Sequence, residues 1–334
     1  MCQSPAPSTS GPRALAHDKH MKRLIINADD LGICRSTNRA IAEAFRHGVL
    51  TSTSLMANGP AFEDALEHVV RPNPELGVGL HVCLTNARSL LPRKEIPLLV
   101  DDRGRFRHGF LSLYQLTLTR PKAAAEQIGR ELSAQFERLM AAGVSIDHVD
   151  GHRHVHMIPA VFRTVTRLAR RYRRPGIRIS HEPYPRLQRL LQPSRLPLLL
   201  TNLPKKLVLS TLAAWSCRHA DGLQAPDRVF GILDSGRMDF TALQAAIASA
   251  SDGLTEIITH PGGQYPDLDP AADPMESRFL GSPWRHAEFQ ALVDQRVRNQ
   301  IGRLGVVPAS YPHPLETVDC AATQGRPFET GANA

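Results

Sequence analysis

Apolar runs alternate with amphipathic segments along most of the chain. The run RLIINADD (23–30) is apolar and β-branched and ends in two acids, which predicts a buried strand with polar residues at its C-terminal end. Segment 36–50 follows with apolar residues at helical spacing, and Ser36 is its expected N-cap. Further strands are predicted at 54–58, 76–85, 145–150, 176–180 and 255–260, and further helices between the second and third strands, at 123–143 and after Pro159. Alternating strands and helices predict an α/β fold with a mainly parallel sheet.

Acids and histidines recur where these predicted strands end. Four separated segments place them at or just after a C-terminal strand end: Asp29 with Asp30, His81, Asp150 with His152, and His260. Taken alone, any one of these histidines would be interpreted as a hydrogen-bonded core residue. In parallel α/β barrels, however, active sites are built at the C-terminal rim of the strands. We therefore expect these side chains to share one site.

The stretch DHVDGHRHVH (147–156) concentrates histidine and aspartate in ten positions. In an extended strand His152, His154 and His156 would line one face, whereas a helix would align only His152 and His156. Either geometry places two imidazoles side by side, which suits Zn²⁺ or a similar divalent ion. A solvated, histidine-rich turn is the alternative interpretation.

Composition narrows the class of protein. The 334 residues are 42% hydrophobic and 22% charged, which is ordinary for a globular protein, and the length fits one large α/β barrel or two smaller domains. No run of about eighteen apolar residues is present to span a bilayer, so we expect a soluble protein. The net charge of +8 comes largely from arginine clusters such as 167–178. Since no nucleic-acid motif accompanies them, we expect a solvated basic face and no nucleic-acid partner.

The ends of the chain and one internal segment depart from the α/β pattern. Residues 1–21 lack the apolar core of a signal peptide and predict a disordered leader, and 312–334 predict a flexible tail, leaving 22–311 as the folded domain. The Leu-rich insertion around 187–215 is interrupted by three prolines and punctuated by Arg and Lys. It predicts either a buried helical pair or an apolar, basic-rimmed surface that lies against lipid or covers an apolar substrate. Five widely spaced cysteines favour a reducing compartment, and we expect a cytoplasmic protein.

Four blocks of the sequence resemble a known family. NADDLG (27–32), GLHVCLT (79–85), DGHRHVH (150–156) and ITHPG (258–262) resemble, in the same order, the signature blocks of the YdjC/ChbG family of carbohydrate deacetylases. The resemblance covers about residues 22–300. It implies a distorted, TIM-like (β/α) barrel, a homodimer, and one divalent metal ion that hydrolyses an N-acetyl group from an amino sugar.

The resemblance also implies roles for particular residues. The metal ligands would be Asp30, His81 and His152, and both Zn²⁺ and Mg²⁺ are compatible with the pattern. Asp29 would be the general base, with Gly32 helping the strand end to kink so that both carboxylates reach the site. His260 would be the acid that protonates the amine leaving group.

Other polar residues near these blocks have less specific expected roles. Asp150 is expected to fix an imidazole tautomer, and His154 and His156 to orient a ligand or contact substrate. Arg178 and Glu182, after the predicted strand GIRIS, are expected either to bind or orient sugar and acid groups or to form an ordinary surface pair.

The C-terminal stretch SRFLGSPWRHAEFQALVD (277–294) resembles the branch of this family that is associated with hopanoid biosynthesis. That branch implies an N-acetylglucosaminyl group attached to a hopanoid lipid, and residues 187–215 would then suit a lipid-linked substrate at the inner membrane surface. A soluble chitooligosaccharide deacetylase is the alternative within the same class. A non-catalytic metal- or sugar-binding barrel is the alternative in another class, although binding alone would need neither Asp29 nor His260.

Overall fold

The computed structural model describes residues 21–174, 176–183, 195–220, 222–263 and 274–312. The strands in these residues are β1 (Lys22–Leu31), β2 (Ser52–Leu55), β3 (Gly77–Val82), β4 (Ile146–Gly151), β5 (Gly176–Ile177), β6 (Arg228–Phe230), β7 (Gly253–Thr259) and β8 (Val307–Pro308). The helices are α1 (Arg35–His47), α2 (Phe62–Ala65), α3 (Phe110–Thr119), α4 (Pro121–Ala141), α5 (Pro159–Arg171), α6 (Leu196–Cys217), α7 (Phe240–Ala248), α8 (Pro274–Leu280), α9 (Pro283–Val293) and α10 (Gln295–Arg303). A π-helical turn (Leu66–Val70) extends α2, and a 3-10 helix (His152–Met157) follows β4.

The strands form one parallel sheet that curls on itself. Its order is β5-β4-β3-β2-β1-β7-β6, and β8 adds to β1. Beyond the outermost strands the two edges meet, because the Ile177 amide donates to the Gln224 carbonyl at 2.9 Å and the Val229 amide donates to the His181 carbonyl at 3.0 Å. The expected α/β, TIM-like architecture with mainly parallel strands is therefore confirmed, in the form of an incomplete barrel.

Helices cover the outside of this sheet and explain the nearly continuous apolar runs of its strands. β1 is buried along almost its whole length, as is typical of a parallel strand that is covered on both faces. α4 contributes Ile128, Leu132, Phe136 and Leu139 to the core at helical spacing. The inside of the curl also contains buried polar side chains near the strand ends, and these form the candidate site.

Two local predictions were wrong. Ser36 is not the N-cap of α1, because the helix begins at Arg35 and Cys34 occupies the cap position. The segment GIRIS is a strand only at Gly176–Ile177, because the chain turns tightly where the His181 amide donates to the Ile179 carbonyl at 2.7 Å.

The described part of the Leu-rich segment is a single helix, α6, rather than a helical pair. One face buries Leu199, Asn202, Leu209 and Leu212, while the opposite stripe exposes leucines at helical spacing: Leu196, Leu200, Leu203 and Leu207. Residues 187–194, the expected leader apart from Met21, and the expected tail apart from Pro312 lie outside the described residues. No helix in the described ranges is long and apolar enough to cross a membrane.

Candidate metal centre and active site

The carboxyl end of β1 delivers two adjacent carboxylates to the inside of the barrel. The pairing of β1 with β2 shifts register between Ala28 and Leu31, and Asp30 adopts a left-handed backbone conformation with φ of +69°. Because aspartate tolerates this conformation better than most residues, the kink can form at Asp30 itself. Gly32 also has a positive φ, and a Cβ there would lie 3.2 Å from Leu55 Cδ1. The irregular strand end therefore lets consecutive acids face the same interior.

Asp30, His81 and His152 converge on one buried point. Asp30 Oδ1 lies 3.0 Å from His152 Nδ1 and 3.6 Å from His81 Nε2. One potential ligand atom from each residue lies within 4.8 Å of the others. One carboxylate and two imidazoles are a donor set that divalent transition metals and Mg²⁺ can use, so these residues fit the metal that the family resemblance implies.

A second cluster of candidate ligands, Asp29 with His81 and Asp150, overlaps the first. Its carboxylates already have strong partners, since both oxygens of Asp29 and Oδ2 of Asp150 accept from the Arg178 guanidinium. A cation in that position would compete with a buried arginine. The cluster of Asp30, His81 and His152 is therefore the better candidate metal centre.

Charged neighbours set the protonation of the candidate ligands. Burial alone would lower the pKa of His81, but the Asp150 and Asp30 carboxylates raise that pKa to about 10. Burial opposes ionisation of Asp30, but His152, His81 and Arg285 hold its pKa well below the usual range. His81 Nδ1 donates to Asp150 Oδ1 at 2.7 Å, which directs Nε2 toward Asp30. Asp150 thus stands where the expected tautomer-fixing residue should be.

Arg178 lies at the centre of a buried carboxylate network. It donates to Asp29 through two nitrogens, at 2.8 and 2.9 Å, and also contacts Asp150 at 2.5 Å and Glu256 at 2.7 Å. Its side chain is fully buried, so the interpretation of Arg178 as part of a surface pair is wrong. The three carboxylates outweigh the cost of burial and raise the pKa of Arg178 further. The guanidinium consequently fixes the orientation of the Asp29 carboxylate.

His260 faces Asp29 from the end of β7. Its Nε2 lies 4.0 Å from Asp29 Oδ2, and its ring packs edge-on against Phe279. Burial lowers the pKa of His260 to about 4, even though Asp29 and Asp30 act in the opposite direction. The imidazole is therefore neutral near pH 7.

The remaining histidines of the DGHRHVH block turn away from the candidate ligands. The block is neither a strand nor an α-helix but a 3-10 helix in which Arg153 and His154 have φ of +52° and +58°, so both proposed alignments were wrong. His154 Nδ1 lies 2.9 Å from Ser180 Oγ, and His156 Nε2 lies 3.1 Å from the Arg178 carbonyl. Both histidines therefore contact the segment that follows β5.

Glu182 belongs to the framework around the site. It is buried, and its Oε2 accepts from the backbone amides of Ile232 and Leu233, each at 2.8 Å. The surface-pair interpretation is thus wrong for Glu182 as well. These bonds hold the chain that follows β6 against the chain that follows β5.

Several buried polar residues of the site were missed in the sequence. They are Asn27, Ser54, Glu256, Arg285 and Glu288. Ser54 donates to Asp150 Oδ2 and accepts from Asn27, each at 2.8 Å. Polar positions inside otherwise apolar predicted strands could have indicated Ser54 and Glu256, because a buried polar side chain needs partners. Arg285 and Glu288 are three residues apart on α9, a spacing that places both on one helix face.

A cavity of about 270 Å³ opens beside His152. Apolar side chains form most of its wall, including Ile33, Met56 and Leu280, while Asn58 and Arg88 lie among the polar lining residues. Its volume is close to the lower end of typical small-ligand pockets, roughly 300 Å³. A ligand in this cavity would lie next to a candidate metal ligand.

Fold and site together define a class: a parallel, barrel-like α/β protein with a buried Asp–His–His cluster at the carboxyl ends of its strands. Within that class, the chain belongs to the family of YdjC-like proteins, whose model matches residues 23–303. The family resemblance of the four sequence blocks is thereby confirmed. Membership of the hopanoid-associated branch stays a prediction.

Individual relatives agree with this assignment. The chain is 42% identical over 288 residues to a carbohydrate deacetylase of Geobacillus stearothermophilus, and this match covers 86% of this chain and 96% of the relative. It is also 42% identical over 153 residues to a carbohydrate deacetylase of Brevibacillus brevis, but that match spans 46% of this chain and 58% of the relative. A crystal structure of a candidate cellobiose-phosphate cleavage protein from Enterococcus faecalis V583 has a TM-score of 0.63 at 25% identity, covering 87% of this chain and 98% of that one.

Proposed function

We propose that this protein is a metal-dependent carbohydrate N-deacetylase that hydrolyses the acetamide of an N-acetylated amino sugar. The observation that carries the proposal is the convergence of Asp30, His81 and His152 beside Asp29 and His260. The carbohydrate deacetylase of Geobacillus stearothermophilus, which matches along almost its whole length, supports the same activity.

Asp30, His81 and His152 would hold one divalent ion. When bound, such an ion supplies Lewis acidity to the amide carbonyl and lowers the pKa of water from 15.7 toward about 7. Asp150 contributes by holding the His81 ring in place through its 2.7 Å contact with Nδ1.

Asp29 is the proposed general base. Attack on the acetamide forms a carbon–oxygen bond from water to the carbonyl carbon, and Asp29 accepts the proton that this water loses. Arg178 keeps the Asp29 carboxylate oriented through two hydrogen bonds. The base is therefore aimed before substrate binds.

His260 is the proposed donor of the proton that the departing amine needs when the carbon–nitrogen bond breaks. Because His260 is neutral near pH 7, it has to gain a proton during each turnover. Asp29, 4.0 Å away, is close enough to return the proton taken from water after a small movement of either side chain. One proton of the water thus ends on the amine, which leaves as the free amine, and the other stays on acetic acid, which ionises to acetate by releasing it to solvent.

The cavity beside His152 would hold the sugar ring. Apolar walls suit the faces of a pyranose ring, and the Asn58 side chain at the cavity can bond hydroxyl groups. The finer proposal is an N-acetylglucosaminyl group carried by a hopanoid lipid. It is supported by the exposed leucine stripe of α6, which offers an apolar surface near the histidine block. Under this proposal, α6 rests on the cytoplasmic surface of the inner membrane.

The activity is tested by incubating the purified full chain with N-acetylglucosamine, chitooligosaccharides and an N-acetylglucosaminyl lipid. Each substrate is assayed with Zn²⁺, with Mg²⁺ and with a chelator, and released acetate and deacetylated product are measured by mass spectrometry. We expect metal-dependent acetyl loss that the chelator abolishes. Metal binding without acetyl loss from any substrate would favour a non-catalytic binding protein instead.

A further inference from the structure

Helix α9 places two buried charged side chains behind the candidate active site. Arg285 and Glu288 lie on the same face of α9, and each is about 1% exposed. Neither residue belongs to the four sequence blocks that carry the candidate ligands, the base and the acid. Their contacts nevertheless reach two of those blocks, NADDLG and ITHPG.

Arg285 engages one of the two carboxylate oxygens of Asp30 and leaves the other to the histidines. Its Nη1 donates to Asp30 Oδ2 at 3.0 Å, whereas Asp30 Oδ1 faces His152 and His81. The guanidinium also contacts Thr37 Oγ1 at 3.3 Å and the Pro261 carbonyl at 3.4 Å. A guanidinium held by three partners cannot easily leave Oδ2, so only Oδ1 of Asp30 is free to approach a metal ion.

Glu288 holds the backbone at two separate points, just after β7 and just before α7. Its Oε2 accepts from the His260 amide at 2.6 Å, and its Oε1 accepts from the Met238 amide at 3.0 Å. Both oxygens are thus engaged by backbone donors, which a carboxylate satisfies and a carboxamide cannot, since an amide NH₂ group accepts no hydrogen bond.

The loop ITHPG is packed directly on α9. The Gly262 amide donates to the Arg285 carbonyl at 3.0 Å, and a Cβ on Gly262 would lie 3.0 Å from the Arg285 Cβ. A side chain at position 262 would therefore force Arg285 to shift by a few tenths of an ångström. The proposed acid, His260, is therefore set by α9 through its own amide and through the glycine two residues later.

We propose that α9 is a positioning element in which Arg285 restricts Asp30 to one-oxygen ligation and Glu288 sets the position of His260. This inference rests on the proposed deacetylase function. If Asp30 offered a single oxygen to a metal ion, the site would leave more room for water or for the acetyl oxygen, which catalysis needs and simple binding does not. Arg285 and Glu288 act through Asp30 and His260, without touching substrate.

The test compares Arg285→Met, Arg285→Lys and Glu288→Gln in the full chain. Arg71→Met is the matched control, because it makes the same chemical change at an exposed position. For each variant, kcat and KM are measured at saturating metal, metal affinity is measured by calorimetry without substrate, and folding is checked by melting temperature.

For Arg285→Met we expect metal affinity to be kept or to increase, because a cation is removed and Asp30 gains a second free oxygen. We expect kcat to fall roughly 10- to 100-fold. Arg285→Lys restores the charge and should recover part of the lost kcat. Glu288→Gln should lower kcat by a similar factor with KM and metal affinity unchanged. If Arg285→Met does not fold, Arg285→Lys tests the role of Arg285 by the same comparison of kcat with metal affinity, and Glu288→Gln tests the role of Glu288 independently.

A parallel loss of metal affinity and kcat in the folded Arg285 variants would overturn the role given to Arg285. An unchanged kcat in Glu288→Gln would overturn the role given to Glu288. These results differ from failure of the proposed function, which would appear as a wild-type protein that releases no acetate at all. The experiment therefore distinguishes a wrong role for α9 from a wrong assignment of the activity.

Discussion

Asp30 illustrates how much one residue determines in this site. Its left-handed backbone turns two consecutive acids inward, and its two oxygens face different partners. Asp29, one position earlier, is engaged by Arg178 instead. Neighbouring carboxylates of the same chemistry consequently have different environments, and the predictions for them differ.

For the candidate metal ligands, we expect metal and activity to be lost together. Replacing Asp30, His81 or His152 with Ala removes one of three ligands, so bound metal measured by elemental analysis should fall along with acetate release. His154→Ala is the control, because His154 contacts Ser180 rather than the ligand cluster, and this variant should retain its metal. Full metal content in all three ligand variants would show that the assignment is wrong.

For Asp29, we expect a substitution to reduce turnover without reducing metal binding. Asp29→Asn keeps the size of the side chain but removes the base, so kcat should fall roughly 10²- to 10⁴-fold while metal content stays near that of the wild type. Elemental analysis and steady-state kinetics on the same preparation measure both quantities. A near-normal kcat would remove Asp29 from the role of base.

Among the elements, β3 approaches a side chain of its neighbouring strand β4 closely at one glycine. A Cβ on Gly79, in the GLH block, would lie 2.3 Å from the imidazole of His148, which is fully buried. Gly79→Ala should therefore destabilise the protein by about 1–3 kcal/mol through overpacking. Gly129→Ala is the matched control, because Gly129 lies in α4 with no atom nearer than 3.6 Å to the added Cβ. Urea unfolding should show the control equal to or more stable than the wild type, and equal losses in both variants would contradict this explanation.

The exposed stripe of α6 has a separate prediction. Replacing Leu200 and Leu207 with Ser should weaken binding to vesicles that contain anionic lipid and impair a lipid-linked substrate, while hydrolysis of a small soluble N-acetyl sugar is retained. The control is Leu118→Ser on α3, which is exposed but lies outside the Leu-rich segment. A parallel loss of both activities with a lowered melting temperature would instead indicate that these leucines stabilise the fold.

The elements also show where sequence patterns succeed and fail. β1, β3 and β7 were predicted close to their observed positions, because a buried parallel strand leaves a strong apolar signal. The 3-10 helix of the DGHRHVH block was not predicted, since the left-handed conformations of Arg153 and His154 leave no pattern in residue type. The approach of Asp30, His81 and His152 followed from the topology of parallel strands, whereas their bonds to Arg178 and Arg285 depend on distant parts of the chain and have no local signal.

At the scale of the whole molecule, a buried ion pair links stability to pH. Burial by itself lowers the pKa of His148, but Asp147, whose Oδ1 lies 2.5 Å away, raises that pKa above its ordinary value of 6.5. The protonated imidazole is therefore favoured in the folded state. Its contribution to stability is complete below pH 6.5 and is lost as the pH rises through the higher, folded-state pKa.

We accordingly expect the free energy of unfolding of the wild type to decline, relative to a variant that lacks the pair, as the pH rises above 6.5 and through the raised pKa of His148. The double variant Asp147→Asn/His148→Gln removes both charges together, so neither is left buried without a partner. Urea unfolding at several pH values measures the difference. A difference that stays constant with pH would show that His148 does not titrate differently in the two states.

The bond between Arg285 and Asp30 joins residues 255 positions apart. At about 5–20 residues per second of translation, a ribosome that has made Asp30 needs roughly 13 to 50 seconds more before Arg285 exists. For most of that interval, until β7 (Gly253–Thr259) has been synthesised, the nascent chain carries both acids of β1 and an open apolar strand edge. Ribosome-bound chaperones have this interval in which to shield the edge, and a message broken before codon 285 would yield a chain whose Asp30 lacks its arginine.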